Sequence, residues 1–164
     1  METIPTVVFS GFSGSGKTTL IEKLVVELKA QGLRLAVVKH DGHEFEIDHE
    51  GKDSWRFTQA GADVTLVCSE TKTALIERRG RSLRENLERI RDVDLILVEG
   101  YKYALLPRIG VCRKASGQGL PSPAEEYLAV VTDDETLLPC RAAACFGLDD
   151  VRELAGFLRN RFQI

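Results

Sequence analysis

Short apolar segments alternate with segments of helical periodicity along most of this 164-residue chain. The apolar segments are rich in β-branched residues and are bounded by polar or glycine-containing stretches, which is the pattern of strands. Strands are therefore predicted at 6–10, 34–40, 63–69, 94–100, 108–113, 127–131 and 142–146. Several of these segments are apolar at every position, as expected of strands buried on both faces of a sheet.

Helices are predicted between these strands, at 17–31, 53–60, 82–91 and 149–161. In the first helix, Leu20, Leu24 and Leu28 recur at the spacing of one helix face. Alternating strands and helices predict an α/β fold, a three-layer sandwich around a mostly parallel sheet, which binds ligands beyond the carboxyl ends of its strands. The stretch "TLVCSETKTALIERR" predicts a hairpin that projects from the sheet. The length favours a single domain, 1–164.

Composition and charge exclude several classes of partner. The formal net charge of -3 supplies no field that would hold a polyanion, so nucleic-acid binding is not expected. The opening "METIPTVVFSGF" lacks the features of a signal peptide, and no apolar run approaches the length of a membrane span, so a cytoplasmic protein is predicted. The four cysteines stand apart with no C-x-x-C pair, which indicates neither a zinc site nor a disulfide framework.

A glycine-rich loop lies between the first predicted strand and the first predicted helix. Its sequence "GFSGSGKT", which begins at Gly11, matches the phosphate-binding pattern G-x-x-x-x-G-K-[ST] in the strand–loop–helix context that the pattern requires. Glycines let backbone N–H groups face a polyphosphate, and the helix directs its positive end at the same charge. The predicted phosphate ligands are Gly11, Ser13, Gly14, Ser15, Gly16, Lys17, Thr18 and Thr19.

Within this loop Lys17 is predicted to contact the β- and γ-phosphates, and the Thr18 hydroxyl to coordinate a phosphate-bound Mg²⁺. A second acidic element follows in "DLILVEGYK", where a buried strand ends at Glu99. Glu99 is predicted to lie near the metal or a nucleophilic water, which makes Glu99 and Lys17 the candidate catalytic residues. A helix-cap or salt-bridge role remains the alternative for Glu99. Lys102 is a candidate for phosphate or an anionic partner, or else an ordinary solvated lysine.

All three histidines fall in the acidic segment "KHDGHEFEIDH", directly after a predicted strand. A transition-metal site would use imidazole and carboxylate ligands, although the spacing is not a standard one for zinc. A second interpretation places Lys39, His40, His43 and Asp48 at a switch-like edge of the nucleotide site, in contact with phosphate, Mg²⁺ or a second substrate. A polar surface loop is the third.

The motifs together resemble one protein family. The stretches "FSGFSGSGKTTLIEKLV", "VVKHDGHEFEIDHEGKDSWRFTQAGA", "TLVCSETKTALI", "DLILVEGYK" and "AVVTDD" are similar to molybdopterin-guanine dinucleotide biosynthesis protein B, MobB, over roughly residues 5–133. The glycine loop alone marks only the P-loop superfamily, whereas the histidine segment followed by "EGYK" is more particular.

The resemblance implies a P-loop NTPase-like fold, binding of GTP with Mg²⁺, weak hydrolysis at most, and a homodimer in which sheet edges or hairpins meet. It also implies a partner, the MobA-type molybdopterin guanylyltransferase that joins GMP to molybdopterin, and leaves contact with molybdopterin itself open. By this likeness residues 11–19 bind phosphate, Thr18 and Glu99 hold the metal, and His40, His43 and Asp48 form the family's histidine-acid segment.

The residue that would read the nucleotide base is less evident. The string N-K-x-D, by which regulatory GTPases read guanine, does not occur in this sequence. Asp133 or Asp134, just past the strand "YLAVV", is a candidate, because one carboxylate can accept from two adjacent donors such as guanine N1 and N2. A capped turn is an equally good interpretation of these two aspartates.

Two alternative functions are compatible with the same loop. A P-loop small-molecule kinase using ATP needs a second anionic pocket, for which Arg78, Arg79, Arg81 and Arg84 are candidates. Their distribution around a polar turn also fits a solvated or dimer-facing surface. A metal-delivery GTPase that uses the histidines is the weaker alternative.

Overall fold

The computed structural model describes residues 4–134, 136 and 144–164. The chain forms two compact units, one made of residues 1–40 and 92–164 and the other of residues 41–91. Each unit is described by itself below. Cys140 and the first two residues of the last predicted strand lie outside the described residues.

The first unit contains a six-stranded sheet and two long helices. Its strands are β1 (Thr6–Ser10), β2 (Leu35–Lys39), β5 (Leu95–Glu99), β6 (Arg108–Cys112), β7 (Ala129–Thr132) and β8 (Ala144–Phe146), and its helices are α1 (Lys17–Ala30) and α4 (Val151–Phe162). The sheet order is β2-β5-β1-β6-β7-β8, and every pairing is parallel. The predicted α/β fold with a mostly parallel sheet is therefore confirmed.

The core of this unit lies between the sheet and the two long helices. Val7, Phe9 and Leu97 project from one face of the central strands and are fully buried with Leu24 of α1 and Leu158 of α4. At about 25 cal/mol per Å² of apolar surface, each such side chain contributes roughly 1.5–3 kcal/mol by burial. The two helices thus pack on one face of the sheet. This packing keeps the start of α1 at the carboxyl end of β1.

The second unit is smaller and contains the predicted hairpin. Its elements are α2 (Asp53–Gln59), β3 (Val64–Cys68), β4 (Thr73–Glu77) and α3 (Leu83–Leu87). The strands β3 and β4 pair antiparallel, with Leu66 opposite Leu75. Thr65 on the covered face is buried and shares a 3.0 Å hydrogen bond with Thr58 of α2. The hairpin prediction is therefore confirmed.

The third predicted helix is shorter than its sequence pattern indicated. It begins as expected, because Ser82 and Glu85 cap each other's backbone N–H groups in a capping box. After Leu87 the backbone tightens into bonds between residues three apart, and Asp92 adopts a left-handed conformation with φ 58°. These turns end the helix at Leu87 rather than at residue 91.

The length and apolarity of the helices were compared with those of a membrane-spanning segment. Within the part of the chain that the structure describes, none is both long enough and apolar enough to cross a membrane.

Candidate functional site

The glycine loop connects β1 to α1 at the carboxyl edge of the sheet. A Cβ on Gly11 would collide with the backbone carbonyl oxygen of Val111 on the neighbouring strand, so only glycine fits there. Gly14 and Gly16 adopt φ values of 76° and 91°, in the left-handed region that side chains with a Cβ avoid. The loop conformation that the motif demands is therefore present, with α1 beginning directly after Gly16.

Lys17 folds back over this loop. Its Nζ donates a 2.7 Å hydrogen bond to the carbonyl oxygen of Phe12 and lies 3.4 Å from Ser15 Oγ. Partial burial lowers the pKa of Lys17; Glu99 raises it, and the like charges of Lys102 and Lys39 lower it again. The ammonium of Lys17 therefore lies in the electrostatic field of three other charged side chains at the same edge of the sheet.

Thr18 and Glu99 meet at this edge. The Thr18 hydroxyl, in the first turn of α1, donates a 2.7 Å hydrogen bond to Glu99 Oε1 at the end of β5. Hydroxyl and carboxylate oxygens are the ligands that Mg²⁺ prefers, and a P-loop protein holds the ion with such a pair. The two residues predicted to hold the metal are thus brought together by the tertiary structure, and their oxygens fit the ion.

The chain turns sharply after Glu99. Gly100 has φ 95°, and a Cβ there would lie 3.0 Å from His40 Cβ. Tyr101 also has a left-handed backbone, with φ 45°, which is uncommon for a residue with a bulky side chain. The turn brings the Tyr101 ring against the His40 ring in a tilted arrangement, with the centroids 4.2 Å apart and 51° between the ring planes. His40 itself donates its backbone N–H to the Glu99 carbonyl oxygen at 2.9 Å.

The turn also delivers Lys102 to the glycine loop. Its Nζ lies 5.1 Å from the centroid of the Phe12 ring and 5.5 Å from that of Tyr103. The Lys102 carbonyl oxygen accepts hydrogen bonds from Ser10 Oγ at 3.3 Å and from Arg108 Nη1 at 3.0 Å. Lys102 is thus held at the loop by its main chain and its side chain, and its contact with phosphate stays a prediction.

Asp133 directly follows β7, at the carboxyl edge of the sheet. Its Oδ1 accepts a 2.7 Å hydrogen bond from the Lys114 backbone N–H, and its Oδ2 is 3.9 Å from Arg113 Nε. Asp134 instead accepts from the backbone N–H and the hydroxyl of Thr136, which lowers the pKa of the Asp134 carboxyl. Asp134 therefore closes a turn, and reading of the base by Asp133 stays a prediction.

Two basic residues at strand ends complete the edge. Lys39 was one of the residues predicted at the edge of the nucleotide site, whereas Arg113 was not predicted. The Arg113 side chain, directly after β6, would lie 3.2 Å from a Cβ on Gly16. Lys39, at the end of β2, is in register with Glu99. The signal that could have found Arg113 is its position, because it directly follows a strand of a parallel sheet at the edge where ligands bind.

The remaining predicted residues are more scattered. Ser13 and Thr19 are exposed in the loop and in the first turn of α1. His43 and Asp48 lie in the second unit, where one Asp48 oxygen accepts from the His49 backbone N–H at 2.8 Å. The other is shielded from solvent and has no hydrogen-bond partner in the described structure. That these residues form one site with His40 stays a prediction.

No cluster of metal ligands is found among the histidines and acids that the structure describes. Across residues 4–134, 136 and 144–164, no group of three or more His, Cys, Asp or Glu side chains could hold a metal ion. The Mg²⁺ site proposed at Thr18 and Glu99 is of a different kind, because phosphate and water supply most of that ion's ligands.

The arginines considered for a kinase pocket already have partners. Glu77 accepts two hydrogen bonds from Arg81, at 2.7 and 2.9 Å, and also pairs with Arg79 and Arg89. Arg84 donates to Glu88 at 2.9 Å. The hydrogen bond from Arg81 and the three positive charges lower the Glu77 pKa to about 2. Arg79, Arg81 and Arg84 are thus engaged by acidic side chains, and Arg78 Nη1 donates to the Thr58 carbonyl oxygen at 3.4 Å. These contacts favour a structural role over an acceptor pocket.

Comparison with known proteins gives a consistent result. The family described as MobB, molybdopterin guanine dinucleotide synthesis protein B, matches residues 6–133. A molybdopterin-guanine dinucleotide biosynthesis adapter protein from Haemophilus influenzae is 35% identical, over 96% of this chain and 89% of that protein. The adapter protein of the same name from Escherichia coli is 34% identical, over 94% and 91% of the two chains.

Solved structures agree with the sequence relatives. The crystal structure of Bacillus subtilis MobB superposes with a TM-score of 0.73 at 30% identity, covering 94% of this chain and 98% of that one. A second structure, described as molybdopterin-guanine biosynthesis protein B, gives 0.70 at 29% identity, over 97% and 99% of the two chains. With its phosphate-binding loop and its match over most of its length, this chain belongs to the MobB family.

Proposed function

We propose that this protein is a GTP-binding adapter in molybdenum cofactor biosynthesis. It assists the attachment of GMP to molybdopterin, which forms molybdopterin guanine dinucleotide, and it hydrolyses GTP weakly at most. The relatives from H. influenzae and E. coli are named adapter proteins of that biosynthesis. The transfer of GMP itself is assigned to a separate MobA-type guanylyltransferase, with which this protein associates in the cytoplasm.

The observation that carries the proposal is the pairing of Thr18 with Glu99 beside the glycine loop. Bound between them, Mg²⁺ would neutralise charge on the β- and γ-phosphates. Lys17 would exchange its bond to Phe12 for a phosphate oxygen, and the loop N–H groups would orient the polyphosphate chain. Each of these contacts would hold a nucleotide in place. An adapter whose association with the guanylyltransferase depends on nucleotide requires such contacts.

The proposal includes a homodimer formed through the hairpin. Val64, Leu66 and Leu75 share one face of β3 and β4, and they are 51%, 59% and 45% exposed. An exposed apolar strand face is the kind of surface that a second copy of a chain covers.

Contact with molybdopterin is proposed for the segment that holds His43 and Asp48. One Asp48 oxygen is shielded from solvent and has no hydrogen-bond partner in the described structure, so it could accept a hydrogen bond from a ligand.

Two measurements test the proposal. Calorimetric titration of the purified protein with GTP and with ATP, each with Mg²⁺, should show preference for GTP. Co-purification with a MobA-type guanylyltransferase, carried out with a non-hydrolysable GTP analogue, with GDP and without nucleotide, should show association in at least one state. The Lys17→Ala variant is the control for nucleotide dependence. If the protein preferred ATP, and released ADP only when an acceptor molecule was added, it would be a kinase and the adapter proposal would be wrong.

A further inference from the structure

Three lysines and one carboxylate share the carboxyl edge of the sheet. Lys39 and Glu99 are directly opposite in neighbouring parallel strands, so their side chains leave the sheet on the same side. Lys102 is placed over Phe12 by the turn that follows Glu99. Lys17 contacts the same Phe12 through its carbonyl oxygen. Phe12 therefore contacts two of the three ammonium groups, those of Lys17 and Lys102.

The positive charge at this edge is not balanced by protein. Among the residues that the structure describes, neither Lys39 nor Lys102 forms a salt bridge. Three ammonium groups beside one carboxylate, to which a divalent cation would be added, form a surface that anions stabilise.

Lys102 is also organised before any ligand binds. Its ammonium lies over two aromatic faces, its carbonyl oxygen is bound by Ser10 and Arg108, and Arg108 is in turn paired with Glu126. The left-handed backbone of Tyr101 is uncommon, and such conformations concentrate at functional sites. A lysine that only maintained solubility would not need its position determined in this way.

We propose that Lys39 and Lys102 form, beside Glu99, a second phosphate subsite that the glycine-loop motif does not include. The ligand is a phosphate dianion adjacent to the nucleotide diphosphate. Thr18 and Glu99 would hold Mg²⁺, which would neutralise charge on the terminal phosphates of a nucleotide, so cations next to Glu99 would lie near those phosphates. The source of the dianion is either that γ-phosphate or a phosphate monoester on a second ligand. The inference rests on one part of the proposed function, namely that the glycine loop binds a nucleotide.

The test compares affinities for nucleotides with and without a terminal phosphate. Lys39→Ala, Lys102→Ala and the double variant are titrated with Mg²⁺ and either a non-hydrolysable GTP analogue or GDP, and also with the matched adenine pair. Inorganic phosphate is titrated into the GDP-loaded proteins as the probe for a second ligand. Lys29→Ala, which removes one exposed lysine from the last turn of α1, is the matched control. Lys102→Arg keeps the charge, and circular dichroism establishes that each variant is folded.

Each lysine variant should lose about tenfold or more in affinity for the triphosphate analogue, with less than about a threefold change for GDP. That result identifies the γ-phosphate as the dianion. Loss of inorganic phosphate binding with unchanged triphosphate affinity identifies a second ligand instead. Equal loss for GDP and the triphosphate, or behaviour like Lys29→Ala, overturns the subsite. If the wild-type protein binds only adenine nucleotides, the GTP adapter fails, while the lysine effect is still measured with the adenine pair.

Discussion

The Thr18 hydroxyl and the Glu99 carboxylate lie 2.7 Å apart although 81 positions separate them in the chain. One belongs to the first turn of α1 and the other ends β5, the strand next to β1. Because the glycine loop connects β1 directly to α1, parallel pairing of β1 with β5 brings the two side chains together. The Mg²⁺ site proposed for this protein depends on this meeting of the two side chains.

Replacing Glu99 by Gln should remove most of the effect of Mg²⁺ on triphosphate binding. The amide keeps the acceptor for the Thr18 hydroxyl but loses the charge that attracts the cation, and loss of a group that supports a metal typically costs about 10- to 100-fold in metal affinity. Calorimetric titration of GTP with Mg²⁺ and with EDTA measures the effect. Glu99 would lose its metal role if the variant gained as much affinity from Mg²⁺ as the wild-type protein.

The Lys17→Ala variant should bind triphosphate about 10- to 100-fold more weakly while remaining folded, because hydrogen bonds to charged groups contribute roughly 1.5–3 kcal/mol. Among the described residues, the hydrogen-bond partners of the wild-type Lys17 ammonium are the Phe12 carbonyl oxygen and Ser15 Oγ, both within the same loop. Titration by calorimetry and circular dichroism measure the two properties. Wild-type affinity in a folded variant would exclude Lys17 from the site.

Asp133→Asn should reduce the preference for GTP over ATP by about tenfold or more, because an amide cannot accept from guanine N1 and N2 together. Asp134→Asn is the matched control, since the Asp134 carboxylate is already occupied by Thr136. Competition titrations with both nucleotides give the preference directly. An equal loss for GTP and ATP in Asp133→Asn would mean that Asp133 only holds the Lys114 backbone N–H.

Acid should remove a stabilising contribution from Glu77. Its pKa is lowered from 4.5 to about 2 in the folded protein, so the contribution is complete above the unfolded pKa and is lost as the pH falls from about 4.5 to about 2. Urea unfolding of Glu77→Gln should therefore show a deficit in free energy of unfolding at pH 7 that shrinks towards pH 2. Glu70→Gln, at the exposed turn of the hairpin, serves as control. A deficit that does not change with pH would refute the ionic role of Glu77.

Leu66→Lys should convert the proposed homodimer to monomer or raise its dissociation constant by at least tenfold, because a charge would be buried in the apolar interface. Val26→Lys is the matched control, since Val26 is 71% exposed on α1 in the other unit. Light scattering coupled to size exclusion measures the mass over a range of concentrations. Dimers of equal stability in both variants would place the interface elsewhere.

Local pattern was sufficient for most of the secondary structure and for the loop. β1 and α1 were predicted within one residue of their observed ends, because buried strands and amphipathic helices carry strong periodic signals. The third helix was predicted too long, since a tightening of the backbone after Leu87 leaves little trace in apolar spacing. The predicted roles of Lys17, Thr18 and Glu99 rest on residue type and position, and both could be read from the chain alone.

What the sequence by itself determined is therefore the α/β class, the loop and the family resemblance, since glycine geometry and hydrophobic periodicity are local properties. Only the tertiary structure decided which distant side chains meet. Register between parallel strands sets Lys39 beside Glu99, and a left-handed turn at Gly100 and Tyr101 brings Lys102 to Phe12. Strand order and turn direction depend on packing between segments far apart in the chain, and no spacing of residues encodes that packing directly.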